Sequence, residues 1–304
     1  MPSSVTATLA PMAGHVRKDV SLTDLLKATR GYVPSGDWPA AEKLIGGAAD
    51  FAVQAHHDQL RHTGEAFVQH PIAVAFLLAD LHLDPETIAA ALLHDCVEDT
   101  SAKLETIRDR FGSTVADLVD GVTKLSDISV VSLDDEQAQN LRKVFLAMAR
   151  DIRVVLIKLA DRLHNVQSAE VYEEKKRSEY AIDTLEIFAP LAGRLGIEEW
   201  RWRLEDHAFR VLKPARYREI ARWLVDERQA REETVTRLTD ELRIELDNAG
   251  ISALIQSRVK HLYSIEQKTQ RKNVTLDELY DICLLYTSDA ADERSSVDLG
   301  GRRI

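Results

Sequence analysis

From about residue 40 to residue 250, apolar side chains recur at spacings of three and four with few interruptions. A chain written this way can bury its apolar stripes only by packing helix on helix. Asp84-Pro85-Glu86 reads as an N-cap, a first-turn proline and a favourable first-turn acid, opening a helix through Ile88, Ala91 and Leu92. Further helices are expected over 66–81, 101–111, 114–124, 137–149, 152–166, 176–194 and 197–211, with a long charged one over 216–249. "RKDVSLTDLL" reads as a short capped helix. Glycines 112, 121, 193 and 196 punctuate these runs, mostly near their expected ends. After Gly250 the texture changes: "ISALIQSRV" is β-branched and reads as a strand, followed by a short basic helix, "YSIEQKTQRK". The expected fold class is an all-α bundle over 41–212, after a tail and short helix at 1–40. A linker helix and the start of an α/β domain follow over 213–282.

One helix ends in an unusual way. In "ALLHDCVEDT", residues 91–100, an apolar run built for burial closes on one histidine and three carboxylates. On a continuous helix His94 pairs with Glu98 and Asp95 with Asp99, so all four can share a patch. A helix C-terminus is already partly negative, and three acids there repel one another and the dipole. A solvated helix end with its acids paired to Lys or Arg is the plain reading, but basic residues are lacking nearby in sequence. A bound divalent cation is the economical alternative.

Two other runs offer partners. "FVQHPIAVAFLLADL" places His70 before Pro71 at the start of an apolar helix, and "VVLIKLADRLHNV" places Asp161 at the end of another, with Asn165 one turn on. Each alone is ordinary. Together they supply two imidazoles and two carboxylates from three buried helices, leaving positions open for water and a substrate oxygen. That mixture suits Mn²⁺, with Fe²⁺ or Zn²⁺ as alternatives. Cys96, inside the motif, is expected to face packed helices. His56, His57 and His164 are expected to be helix-face residues or supports, with His164 bonding a ligand carboxylate.

The net charge of −11 argues against a general nucleic-acid or anionic-membrane surface. Two cysteines give no disulfide framework, no apolar run approaches a bilayer span, and the N-terminus lacks a secretory pattern. A cytoplasmic location is expected. The last 22 residues, from Cys283 to Ile304, break abruptly in composition and show no helical or strand periodicity. They can be back-translated into a transposase-type sequencing adapter read in frame, so 283–304 is expected to be a non-native tail that cuts the second domain short after Ile282.

At these residues the chain resembles the HD phosphohydrolase superfamily, whose pattern is His, then His-Asp, then a distant Asp. More narrowly it is similar to the long RelA/SpoT homologues, bifunctional synthetase–hydrolases of (p)ppGpp. The pieces run in family order: "RHTGEAFVQHP", "ALLHDCVEDT", "LVDGVTKL", "IKLADRLHNV", "APLAGRLGIEEWRWRLED" and "RVKHLYSIEQK". The resemblance implies His70, His94, Asp95 and Asp161 as Mn²⁺ ligands, with Glu98 and Asp99 as catalytic acids on the attacking water. It implies Arg61 packing on the guanine base, His62 beside it where Lys is common, and Asn165 and Ser168 as further nucleotide contacts. Ala66-Phe67 and Gly193 are mild departures from the family pattern.

For the second domain the resemblance implies an ATP-binding segment with Arg258, Lys260 and Lys268, and a Mg²⁺-binding Asp281. The rest of that site would lie beyond Ile282, so no pyrophosphate transfer from ATP is expected. The implied function is hydrolysis of the 3′-pyrophosphate of (p)ppGpp to GDP or GTP. Ribosome contact would belong only to the full-length parent, and neither membrane nor DNA is an expected partner. Two other readings stand beside it: an HD phosphohydrolase acting on another nucleotide, and a non-enzymatic nucleotide-sensing or ribosome-associated regulator. An inactive regulator is expected to have lost one of Glu98 and Asp99, and both are present.

Overall fold

Local capping chemistry starts the helices where the sequence announces them. In the computed structural model, which describes residues 20–61, 63–125, 150–226, 228–251, 253–258, 261–279, 283–288, 296–298 and 302–303, helix α1 (Leu22–Arg30) opens on a complete capping box between Ser21 and Asp24. Helix α2 (Trp38–Ala55) and helix α3 (Gln69–Asp80) follow. Helix α4 (Pro85–Leu93) is capped by Asp84, whose side chain accepts from the Thr87 amide at 3.0 Å. Every residue of α4 from Thr87 to Leu93 is buried, and α2, α3 and α7 (Ser113–Leu125) pack around it. It is the central helix of this unit.

The expected single helix end at 91–100 is broken in two. Helix α4 stops at Leu93, His94 and Asp95 form a turn, and Cys96–Asp99 make a separate single turn, α5. Helix α6 (Leu104–Phe111) ends at Gly112, which has φ +91°. Gly121 sits inside α7, where an added Cβ would come within 2.7 Å of Val154 Cγ2. The missing side chain lets α7 approach helix α8 (Ile152–Val166), which explains a glycine in the middle of "LVDGVTKL". The helix expected at 137–149 lies outside the described residues.

Arg153 ties two helix starts together. It donates to Asp151, the N-cap of α8, at 2.7–3.1 Å and to Asp84, the N-cap of α4, at 3.1 Å. At the other end of α8, the Arg162 guanidinium lies between the rings of Tyr180 (3.8 Å) and Phe188 (4.1 Å). Those rings come from α9 (Glu174–Asp183) and the π turn Thr184–Phe188 that leads into α10 (Ala189–Arg194). Helix α11 (Glu198–Leu212) closes the unit, which spans His15–Leu212.

A second compact unit includes residues 213–304. The charged stretch expected as one helix is described as α12 (Pro214–Asp226) and α13 (Arg228–Asn248). Strand β1 (Ala253–Arg258) and helix α14 (Leu262–Lys272) follow. Buried Glu266 on α14 is held by Lys213 at 3.1 Å and Arg216 at 2.8 Å. Contrary to the absence of strand periodicity read from the tail, Cys283–Ser288 forms strand β2, antiparallel to β1 with Ala253 opposite Ser288 and Arg258 opposite Cys283. Short strands β3 (Ser296–Asp298) and β4 (Arg302–Arg303) extend it in the order β1-β2-β3-β4. Strand pairing runs through backbone groups, so an open edge can recruit a following segment without a clean side-chain alternation. Among the described residues no helix is long and apolar enough to cross a membrane.

Candidate metal centre

Three helices converge on one buried point. His70 is in the first turn of α3, His94 and Asp95 follow the end of α4, and Asp161 is in the C-terminal half of α8. One ligand-type atom from each of His70, His94 and Asp161 lies within 4.8 Å of the others. His70 Nε2 is 3.3 Å from Asp161 Oδ1 and 3.4 Å from Asp95 Oδ2. His94 Nε2 is 2.9 Å from Asp95 Oδ1 and 3.9 Å from Asp161 Oδ1.

The tautomers follow from the outer hydrogen bonds. His94 Nδ1 is 2.8 Å from the Ala91 carbonyl, which can only accept, so Nδ1 carries the proton. Arg61 Nη1 is 3.0 Å from His164 Nδ1, and a guanidinium can only donate, so that nitrogen is an acceptor. His70 Nδ1, 2.9 Å from the same atom, must then be the N–H. In their neutral forms both imidazoles therefore turn a bare Nε2 towards the two aspartates. His94 Nε2 is buried with no hydrogen-bond partner. Lone pairs facing carboxylates repel unless a cation or proton lies between them, so this donor set fits a divalent metal ion.

Burial opposes charging His94, but the Asp95 carboxylate, with Asp161 and the Ala91 carbonyl, outweighs it and raises the pKa to about 9. At His70 burial wins and lowers it. Burial disfavours the Asp161 charge too, yet the Lys158 ammonium 2.8 Å from Oδ2 and the two imidazoles hold its carboxyl well below the usual range. The cation nearest the cluster is therefore Lys158, one turn before Asp161 on α8 itself. Burial, then Asp95 and Asp99, push the Cys96 thiol up to about 12, leaving a packed and unreactive group.

Glu98 and Asp99 stand exposed on the rim, on α5. Partial burial and the Asp95 charge raise the Asp99 pKa. Arg61 lies on a tight loop whose Gly64 has φ +87°, and its Nη2 donates to Asn165 Oδ1 at 2.6 Å. Asn165 donates in turn to Asp161 Oδ1. Arg61 and Asn165 are thereby joined to the metal cluster. The Ser168 hydroxyl donates to the Asn165 carbonyl at 3.3 Å, closing the end of α8. His164 contacts the imidazole of His70 through Nδ1. His62, Lys260 and Asp281 lie outside the described residues, as does the side chain of Arg258. Lys268 is buried on α14.

Sequence reasoning missed Lys158 and Gln59. Lys158 was legible as the one cation in the apolar run "VVLIKLA", three residues before Asp161. Gln59 had no such signal.

The family model described as an HD domain matches residues 48–198. The chain is 46% identical over 232 residues to the guanosine-3′,5′-bis(diphosphate) 3′-pyrophosphohydrolase of Haemophilus influenzae, covering 76% of this chain and 34% of that protein. To the protein of the same name from Aquifex aeolicus it is 46% identical over 246 residues, 81% and 35% of the two chains. To the GTP pyrophosphokinase of Streptomyces coelicolor it is 42% identical over 261 residues, 86% and 30%. The chain spans about a third of the length of these relatives. Identity at this level extends well beyond the segment that matches the HD domain, and the chain belongs to the RelA/SpoT family, with an HD domain that holds the His70, His94 and Asp161 cluster.

Proposed function

We propose that the first unit is a Mn²⁺-dependent hydrolase of the 3′-pyrophosphate of (p)ppGpp, releasing GDP or GTP and pyrophosphate. The observation that carries this reading is the pair of imidazoles whose Nδ1 atoms are engaged elsewhere and whose Nε2 atoms face Asp161 and Asp95, beside an arginine tied into the same network. His70, His94, Asp95 and Asp161 would hold the cation, which when bound supplies a more acidic water and offsets charge on a phosphoryl oxygen.

The chain's own groups do the rest. Glu98, one turn beyond the ligand turn and exposed to the substrate side, takes the proton of the attacking water. Asp99, whose carboxyl holds a proton more readily than an ordinary aspartate, gives one to the ribose 3′-oxygen as its bond to phosphorus breaks, and the pyrophosphate departs with the oxygen of the attacking water. Arg61 presents a guanidinium fixed by Asn165 and His164 to the guanine base, and His62 and Ser168 are assigned as further nucleotide contacts. The names of the relatives, which specify a 3′-pyrophosphohydrolase of guanosine-3′,5′-bis(diphosphate), support this substrate. In the second unit, Arg258, Lys260, Lys268 and Asp281 are assigned to the beginning of an α/β synthetase site for ATP and Mg²⁺.

The test offers ppGpp, dNTPs and cyclic nucleotides separately to the chain with Mn²⁺, with Mg²⁺ and with EDTA. Release of pyrophosphate from ppGpp, strongest with Mn²⁺ and absent with EDTA, is expected. Faster turnover of a dNTP or cyclic nucleotide would overturn the substrate, and no turnover of any would leave the regulator reading.

A further inference from the structure

Gln59 makes three contacts that join separate parts of the site. Its backbone carbonyl accepts from the Phe67 amide at 3.0 Å, closing the loop that carries Arg61. Leu60 and Ala66 pair across that loop, and the Arg61 amide donates to the Glu65 carbonyl at 2.9 Å. The side-chain amide of Gln59 donates from Nε2 to the backbone carbonyl of Asp99 at 2.8 Å. Its Oε1 faces His56 Nδ1 at 2.7 Å. Because a carbonyl oxygen can only accept, the amide orientation is settled and His56 Nδ1 must be the donor. His56 is itself buried and stacked on Phe67, with ring centroids 4.4 Å apart and planes 16° from parallel. Gln59 is therefore clamped from behind by a fixed ring.

The Asp99 carbonyl that it holds belongs to α5, a single helical turn of four residues. Such a turn cannot satisfy its own last carbonyls and has little stability alone. The Thr100 hydroxyl takes the Cys96 carbonyl, and a side-chain donor reaching in from 40 residues earlier in the chain takes that of Asp99.

We infer that Gln59 is a positioning residue: it pins the Glu98–Asp99 turn to the Arg61 loop, setting the spacing between the proton-handling carboxylates and the guanidinium that meets the base. The inference rests on the proposed catalytic role of Asp99. Holding two groups in register matters because small displacements of a catalytic group cost large factors in rate.

The experiment measures hydrolysis kinetics and Mn²⁺ binding for the full chain with Gln59→Glu, Gln59→Met, Asp99→Asn and the Gln59→Glu/Asp99→Asn pair. Gln59→Glu keeps an acceptor for His56 but puts a carboxylate against the Asp99 carbonyl; Gln59→Met removes both bonds. Each is expected to lower kcat about tenfold with Mn²⁺ affinity unchanged, and Gln59→Glu to cost less in the Asp99→Asn background than alone, the remainder being its effect on Glu98. Wild-type kcat for Gln59→Glu beside a crippled Asp99→Asn would overturn the positioning role and leave Asp99 standing. Loss of Mn²⁺ affinity in step with kcat, or a fully additive loss in the double variant, would also overturn it. A fully active Asp99→Asn would instead overturn the reading of Asp99 itself. Should Gln59→Met fail to fold, Gln59→Glu, with the His56 bond kept, decides the matter.

Discussion

Lys158 Nζ lies 2.8 Å from Asp161 Oδ2, while Oδ1 of the same carboxylate faces His70 and His94. The ammonium occupies one oxygen, and the other, which also accepts from Asn165, is the one turned to the imidazoles. Lys158→Met keeps the apolar stem but leaves Asp161 buried without its nearest cation. Removing one partner of a buried pair costs about 3 kcal/mol, so urea unfolding in EDTA should show a loss of that order. A bound Mn²⁺ replaces the missing charge, and adding it should restore more stability to the variant than to the wild type. An equal deficit with and without metal would refute the shared-carboxylate arrangement.

Ligands and catalysts separate by substitution. His70→Ala or Asp95→Ala should abolish Mn²⁺ binding and hydrolysis together, since each removes a donor atom from the buried cluster. Glu98→Ala, on the exposed rim, should retain the metal and lose turnover by about two to four orders of magnitude. Calorimetric titration with Mn²⁺ beside product assays checks both. Metal loss in Glu98→Ala would make Glu98 a ligand.

Arg153 bridges the caps of α4 and α8, the two helices that deliver His94, Asp95 and Asp161. Arg153→Met should destabilise the unit by about 1–2 kcal/mol, read as a lower urea midpoint. Rate per folded molecule should change little, because Arg153 lies at the opposite ends of those helices from the site. A large fall in kcat with unchanged stability would be inconsistent with a structural tie.

The metal-free cluster should hold a proton on His94. Its folded pKa, about 9, stands above the ordinary value of 6.5. The stability it contributes is therefore complete below about pH 6.5 and lost as pH rises through about 9. A divalent ion must displace that proton, so Mn²⁺ affinity should rise with pH up to about 9 and then level. Titration at pH 7.5 in two buffers of different ionisation enthalpy should report about one proton released per ion. Binding without proton release would show that His94 is neutral in the free protein.

The helices were legible because their causes are local. Ser21 and Asp84 announce their caps within three residues, and the run 152–166 matches the observed α8 at both ends. The His, His-Asp and Asp pattern was legible too, as a list of candidate ligands. The continuous helix through 91–100 was not the structure: His94 and Asp95 form a turn between two helical segments. Periodicity cannot show such a break when both sides of it are helical.

What the sequence determined by itself was therefore the set of helices and the residue types able to bind a metal, because propensity, capping and donor chemistry belong to neighbouring residues. Only the tertiary structure decided that Lys158 shares the Asp161 carboxylate, that His164 sets the tautomer of His70, and that Gln59 reaches Asp99 across 40 residues. Those contacts depend on how helices and loops cross in space, and at hydrogen-bond range an ångström of displacement makes or removes them.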